Sequence, residues 1–405
     1  MDALDVLINK DKIVPFFQPI ISAEKQTVVG YEVLGRIETD KGYESLGWFF
    51  RDQSIPDEYR IEIDDYLQSE ALKKYVDYNT SLYLFLNYDI NLLVKDNGET
   101  LLSRIEEFRE LGVSLKRIVI ELREQDFTGN FSLLKHLLVY LQSLGIQIAM
   151  DDVGNNVSNL DTIATLKPNI IKVDLDFLEK DALPELYRDV LSSLSLLSRK
   201  IGATLLFEGI AQFNQLNYAW RNGGRYYQGF YLGQPKLTFV EPDFCKVTIK
   251  KQFQHFINFE RKKIEAQLSL ADNLDRSLRD TLRKVKSTNM YDEVIMQVAE
   301  HLNDMVFRVY ICDEEGFQQS SNAIKNENGD WELHPEDRHK NWSWRPYFLE
   351  TIVRMSYERK GILSDLYTDI EKDEVIRTYS YPIDEQLYLF IDIPYDYLFD
   401  KDGLL

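Results

Sequence analysis

An α/β barrel followed by a smaller α+β domain is the fold class this sequence predicts, and three observations carry that expectation. Eight short runs of β-branched and aromatic residues lie between about 13 and 240. Helix-period stretches separate several of them, and polar residues recur at the same end of run after run. Repeated strand–helix–strand order implies a parallel sheet covered by helices. A TIM-like barrel is favoured over an open doubly wound sheet because barrels collect polar site residues at one strand end.

The runs are, in order, IVPFFQPIIS, TVVGYEVLGRIE, SLYLFLNYD, RIVIELRE, IQIAMDD, NIIKVDLDF, TLLFEGI and RYYQGFYLG. Between them, Ser132–Ser143 and Pro184–Ile201 place Leu, Ile or Val at spacings of three and four, the mark of amphipathic helices. Residues 247–287 contain neither Gly nor Pro and repeat apolar positions at 253, 257, 264, 268, 271, 274, 278, 282 and 285. That pattern predicts a long connecting helix whose apolar stripe packs on the barrel, on the last domain or on its own copy in a second subunit. After Thr288 come a helical piece (YDEVIMQVAEHLN), the strand MVFRVYICD, a polar stretch, WSWRPYFLETIVRM, and the strands IRTYSYPI and EQLYLFIDI. The expected domains are 1–245 for the barrel, 246–287 for the connecting helix and 288–405 for a sensor or dimerisation module.

Composition bounds the function. The 405 residues, 44% of them apolar, suffice for more than one core, and the net charge of −20 disfavours nucleic-acid polymers and anionic membranes. The two cysteines, Cys245 and Cys312, indicate neither disulfides nor a thiolate zinc site. No apolar run reaches membrane-spanning length and the N-terminus lacks a signal-peptide core, so a soluble cytoplasmic protein is expected.

Carboxylates or amides are costly in apolar strands unless something satisfies them. Here they recur: Glu32, Asn87, Glu121, Asp151 and Asp152, Asp174, Glu208 and Gln228, with Lys172 as the cation among them. Oxygen ligands gathered from neighbouring strand ends, with no histidine in any of these runs, select hard divalent cations. Lys172 by itself cannot compensate so many acids; one or two metal ions can, and a metal pair suits phosphoester chemistry.

YEVLGR resembles the E-x-L-x-R signature of the EAL-domain family, the cyclic-di-GMP phosphodiesterases and their non-catalytic relatives. FFQPI, FLNYD, IELRE, the DD pair, KVD, FEGI and QGFYLGQP follow in the family's order over about residues 1–245. The resemblance implies a TIM-like barrel with one antiparallel strand pair. It implies that Glu32, Asn87, Glu121 and Asp151 hold one metal, and that Asp152, with Asp151 and Glu208, holds a second. Lys172 would position the attacking water and the scissile phosphate, and Arg36 would pair with phosphate oxygen. Gln18, Leu34, Asp174, Gln228 and Pro235 would line the dinucleotide site, and Glu124 would anchor the loop after the DD pair. The implied cofactor is Mg²⁺ or Mn²⁺, with Ca²⁺ as an inhibitory occupant. The implied reaction is hydrolysis of cyclic di-GMP to linear pGpG, and the implied assembly is a homodimer.

Two departures bear on turnover. Active members follow DD with F-G-T-G-Y/F-S, whereas this chain has Val153-Gly154-Asn155-Asn156-Val157-Ser158. Active members also read E-G-V-E where this chain has Glu208-Gly209-Ile210-Ala211. Slow or conditional hydrolysis under control of the C-terminal domain is the favoured expectation. The alternative is a catalytically inactive receptor that signals through contact with a protein partner. The C-terminal segment resembles PAS-like and Cache-like sensor folds, with Trp344, Arg345, Tyr347 and Asp365 as candidate ligand residues; their other reading is ordinary core aromatics and a capping arginine.

Overall fold

The computed structural model describes residues 2–78, 80–123, 127, 131–153, 160–175, 185–285, 290–345 and 347–399. The chain divides into two compact units, Met1–Phe253 and Gln254–Leu405.

In the first unit, β1 (Ile13–Ser22) and β2 (Val28–Thr39) form an antiparallel pair, and β3 (Gly42–Ser45) extends β2 as a hairpin. The strands β4 (Tyr83–Tyr88), β5 (Ile118–Arg123), β6 (Gln147–Asp151), β7 (Ile170–Asp174), β8 (Thr204–Glu208) and β9 (Tyr226–Tyr227) then add in parallel. β9 meets β1 antiparallel, so eight strands close into a barrel in which β1 alone runs against its neighbours. The fold expectation holds, including its antiparallel strand. Helices Asp57–Tyr78, Glu99–Glu110, Phe131–Ser143, Leu160–Leu166, Glu185–Ile201 and Phe213–Arg221 connect successive strands.

The barrel interior shows why the polar residues sit where they do. One interior layer is apolar: Ile20, Val29, Phe85, Val119, Ala149, Ile170, Leu206 and Tyr226 form one packed cluster. Strand side chains alternate faces, so the residue two positions on points inward again. Those residues are Asn87, Glu121, Asp151, Lys172, Glu208 and Gln228. On β1, which runs the other way, the corresponding step goes back to Gln18. On β2, Gly30 precedes Glu32 by two, and its hydrogen faces the Phe85 ring so closely that a Cβ would stand 2.9 Å from it.

The second unit is built on an antiparallel sheet. Arg308–Asp313 pairs with Asn322–Lys325 on one side and Leu387–Ile393 on the other; Trp331–His334, Val375–Pro382 and two short strands extend it. Alternation along Arg308–Asp313 separates two cores. Val309 and Ile311 pack with Leu270, Leu274, Leu278 and Leu282 of the helix Lys246–Val285 and with the helix Tyr291–His301. Tyr310 and Cys312 face the opposite way, onto the helix Phe348–Glu358.

Candidate active site

Lys172 is the centre of the polar layer. Its ammonium, 1% exposed, lies 3.0 Å from Asp151 Oδ1, 3.0 Å from Glu208 Oε2, 3.1 Å from Glu121 Oε1 and 3.6 Å from Glu32 Oε2. Burial works against the charged lysine, but the carboxylates outweigh it, Asp151 foremost, and hold its pKa well above the ordinary value. The acids do not fare equally. Burial, reinforced by Glu32, pushes Glu121 well above the carboxylate range, and burial reinforced by Asp151 does the same to Glu208. Asp151, although buried, is held below its usual value by Lys172 and then Arg123.

Amide donors satisfy part of the cluster. Asn87 Nδ2 donates to Glu32 Oε1 at 2.9 Å, and Gln228 Nε2 donates to Glu32 Oε2 at 2.6 Å and to Gln18 Oε1 at 3.2 Å. Gln228 reaches this position because Gly229 lets the chain close on Ile210. At φ 155°, a Cβ on Gly229 would lie 2.1 Å from the Ile210 carbonyl oxygen, so no other residue fits there without moving the backbone.

The DD pair solves a geometric problem. Two adjacent residues on a regular strand point to opposite faces, yet Asp151, Asp152 and Glu208 each place a carboxylate oxygen within 4.8 Å of the others. Asp152 leaves the pleat with φ 57°, a left-handed conformation that Asp tolerates better than most residues. Burial and the neighbouring Asp151 raise the Asp152 pKa.

Both oxygens of Glu121 and Oδ1 of Asp151 are buried without a well-directed hydrogen bond, although the Lys172 ammonium stands 3.1 Å from Glu121 Oε1 and 3.0 Å from Asp151 Oδ1. Unsatisfied buried carboxylate oxygens are costly, and hard oxygen donors at converging strand ends are what a divalent cation binds. The residues therefore fit such a cation.

A cleft of about 750 Å³ opens beside this layer, with Glu32, Leu34, Arg36, Asn87, Glu121 and Arg123 in its wall. Arg36 donates to the Gly35 carbonyl and to Ser45 Oγ, both at 3.0 Å, and its guanidinium lies 5.9 Å from the Phe16 ring centre. Gln18 and Gln228 are buried in the polar layer, Asp174 ends β7, and Pro235 is half-buried; none of these four lines the cleft. Glu124 and the loop residues Gly154 to Ser158 lie outside the described residues. At Ala211 the backbone N–H is held by Gln215 Oε1 at 2.6 Å, which starts the helix Phe213–Arg221.

Residues 1–235 match the EAL domain family, and 239–405 match the EAL-domain associated signalling protein domain. The chain belongs to the EAL-domain family. This EAL protein is 47% identical over 407 residues to the uncharacterised EAL-domain containing protein YkuI of Bacillus subtilis, with 100% of both chains covered. A crystal structure of that Bacillus subtilis protein in complex with substrate c-di-GMP and calcium superposes with a TM-score of 0.95, again over 100% of each chain. A probable cyclic di-GMP phosphodiesterase of Escherichia coli, PdeG, is 26% identical over 257 residues, which is 60% of this chain and 48% of that one.

In the second unit of the EAL protein, Arg345 and Tyr347 line a cavity of about 30 Å³ with Tyr310, Trp342, Phe348 and Phe390. The two other residues singled out from sequence do not line that cavity: Trp344 is 65% exposed, its ring centre 5.7 Å from the Arg345 guanidinium, and Asp365 faces solvent. Trp342, in the cavity wall, brings its ring centre to 4.4 Å from the Arg345 guanidinium. Sequence reading also missed Arg123, which stands one pleat above Glu121 and 3.4 Å from both Asp151 and Asp152. The period-two step from Glu121 was the signal available.

Proposed function

We propose that the barrel binds cyclic di-GMP in the cleft beside the polar layer and hydrolyses one of its phosphodiesters to linear pGpG, slowly or conditionally, under control of the C-terminal domain. The observation that carries this reading is the cluster of buried carboxylate oxygens without well-directed hydrogen bonds beside a cleft that also presents the Arg36 guanidinium. The c-di-GMP and calcium complex of the 47%-identical relative supports it.

Glu32, Asn87, Glu121 and Asp151 would hold one divalent cation, Mg²⁺ or Mn²⁺ for turnover, and Asp151, Asp152 and Glu208 a second. Bound there, such cations supply charge neutralisation for a phosphoester and a more acidic water. Arg36 presents a fork of donors suited to a phosphate oxygen, and Ser45 fixes its direction. Leu34 lines the cleft as an apolar wall. Gln228 and Asn87 hold Glu32 in one rotamer, so that its carboxylate is already oriented before ligand arrives. Lys172 remains charged and, surrounded by acids, orients water or phosphate. Gln18, Asp174 and Pro235 would complete the dinucleotide site.

The receptor reading draws on two features of the sequence, Ala211 and the Asn155-Asn156 loop. Hydrolysis of labelled cyclic di-GMP in Mg²⁺ and in Mn²⁺, beside a binding isotherm in Ca²⁺, separates the two. Product formation supports the enzyme; binding without product supports the receptor; absence of both overturns the cyclic di-GMP reading.

Among the described residues no helix is long and apolar enough to cross a membrane. A homodimer in the cytoplasm, with the second unit as a PAS-like or Cache-like sensor whose small ligand sits against Arg345 and Tyr347, completes the proposed organisation.

A further inference from the structure

We infer that Arg123 is the chain's own occupant of the second cation position, a guanidinium that a divalent ion must displace before the site can hold two. The inference rests on the metal-binding reading above and deepens it.

Its position follows from the strands. Glu121 points into the barrel, Leu122 is fully buried on the outer face, and the pleat turns Arg123 inward again, one layer nearer the mouth. The β5–β6 register then sets Arg123 directly beside Asp151. Because Asp152 has left the pleat, its carboxylate also turns toward the same guanidinium. Arg123 Nε lies 3.4 Å from Asp151 Oδ2 and 3.4 Å from Asp152 Oδ2, so one cationic group spans the two acids proposed to share the second ion.

Charge balance indicates a competition. Arg123 lies against both Asp151 and Asp152 and already offsets the charge of the two acids that a second divalent ion would otherwise neutralise.

The two cations differ in their freedom to leave. Lys172 is 1% exposed and enclosed, whereas the Arg123 side chain is 34% exposed and borders water. Arg123 is therefore displaceable, and second-ion occupancy becomes the step on which hydrolysis depends. At low metal the chain holds one ion and its nucleotide; at higher metal, or when the guanidinium is drawn away, the second ion enters.

The test is a Mn²⁺ titration of the full-length protein without nucleotide, read by electron paramagnetic resonance of the free ion. Arg123→Ala and Arg123→Gln are compared with the unmodified chain, each also combined with Asp152→Asn. Thermal unfolding shows that each variant folds, and the glutamine variant, which keeps length and hydrogen bonding, serves if alanine does not fold. The expected result is one tight ion and one weak ion in the unmodified chain, the weak one tightening about tenfold in both Arg123 variants and disappearing with Asp152→Asn. Unchanged second-ion affinity overturns the inference while leaving the metal reading intact. So does a second ion that survives Asp152→Asn, or a loss of cyclic di-GMP affinity in Ca²⁺ with unchanged ion binding, which would make Arg123 a nucleotide ligand. No bound ion in any variant would bring down the metal reading first.

Discussion

Each unit buries a cluster of charges, and the two clusters are built on opposite principles. In the second unit Arg308 donates from Nε to Asp392 Oδ2 at 2.6 Å, from Nη1 to Glu371 Oε2 at 2.9 Å, and from Nη2 to Asp369. Its acids are satisfied in turn: Asp369 Oδ1 accepts the N–H groups of Glu371 and Lys372, and Asp392 Oδ1 accepts Thr378 Oγ1 at 2.6 Å. In the barrel, Lys172 faces four carboxylates, and three of the buried oxygens around it have no well-directed hydrogen bond. A closed network specifies structure; an open one leaves carboxylate oxygens that a bound cation can satisfy. Both use buried charge, and only the second has an unmet demand.

Removing the cation from the closed network should have the largest effect. Arg308→Met leaves Asp369 and Asp392 buried without their partner and should destabilise the second unit by about 3–5 kcal/mol, read by urea unfolding, with Mn²⁺ binding unchanged. A wild-type midpoint would break the contrast.

Glu32→Ala comes next. It should weaken the first ion by roughly 100-fold or more and abolish any hydrolysis, because a ligand and the anchor for Asn87 and Gln228 are lost together. Normal turnover in that variant would contradict the ligand assignment.

Glu121→Gln gives the sharpest comparison, because function and stability should move in opposite directions. An amide in place of a carboxylate whose charged form is disfavoured by burial and by Glu32 should raise metal-free stability by about 1 kcal/mol, while metal affinity falls. The matching change in the closed network, Asp369→Asn, should lower stability. The same sign in both would remove the distinction.

The smallest effect is a pH dependence. Glu121 and Glu208 have folded-state pKa values raised above the ordinary glutamate value, so the metal-free folded chain holds protons that the unfolded chain releases. Their contribution to stability is present below the unfolded value near 4.5 and is lost as pH rises toward their folded values. A cation replaces those protons. The rise in Tm on adding Mn²⁺ should therefore be larger at about pH 8 than at about pH 5.5, by a few degrees. A rise that shrinks with pH would contradict the upward shifts of Glu121 and Glu208.

The barrel was legible because its signals are local. Runs with a polar residue two places beyond an apolar one announce an inward-facing layer, and the order of motifs from Gln18 to Gln228 places that layer at one barrel end. The break at Asp152 was legible in part, since two adjacent acids can act together only if the strand ends between them; its φ of 57° supplies that ending. Trp342 and Trp344 are two residues apart in a segment without regular structure, where no periodicity says which one turns inward.

By itself, then, the sequence determined the alternation of strands and helices, the residue types of the inward layer and the family to which they belong. Only the tertiary structure decided which charges are satisfied. Lys172 and Arg308 are each the central cation among acids, and nothing in their neighbouring residues separates the open cluster from the closed one. Arg123 meets Asp151 across 28 residues through the β5–β6 register, and Arg308 meets Asp392 across 84 through the antiparallel sheet. Periodicity is written within a few residues of chain, whereas charge compensation is settled between strands that meet only when the sheet closes.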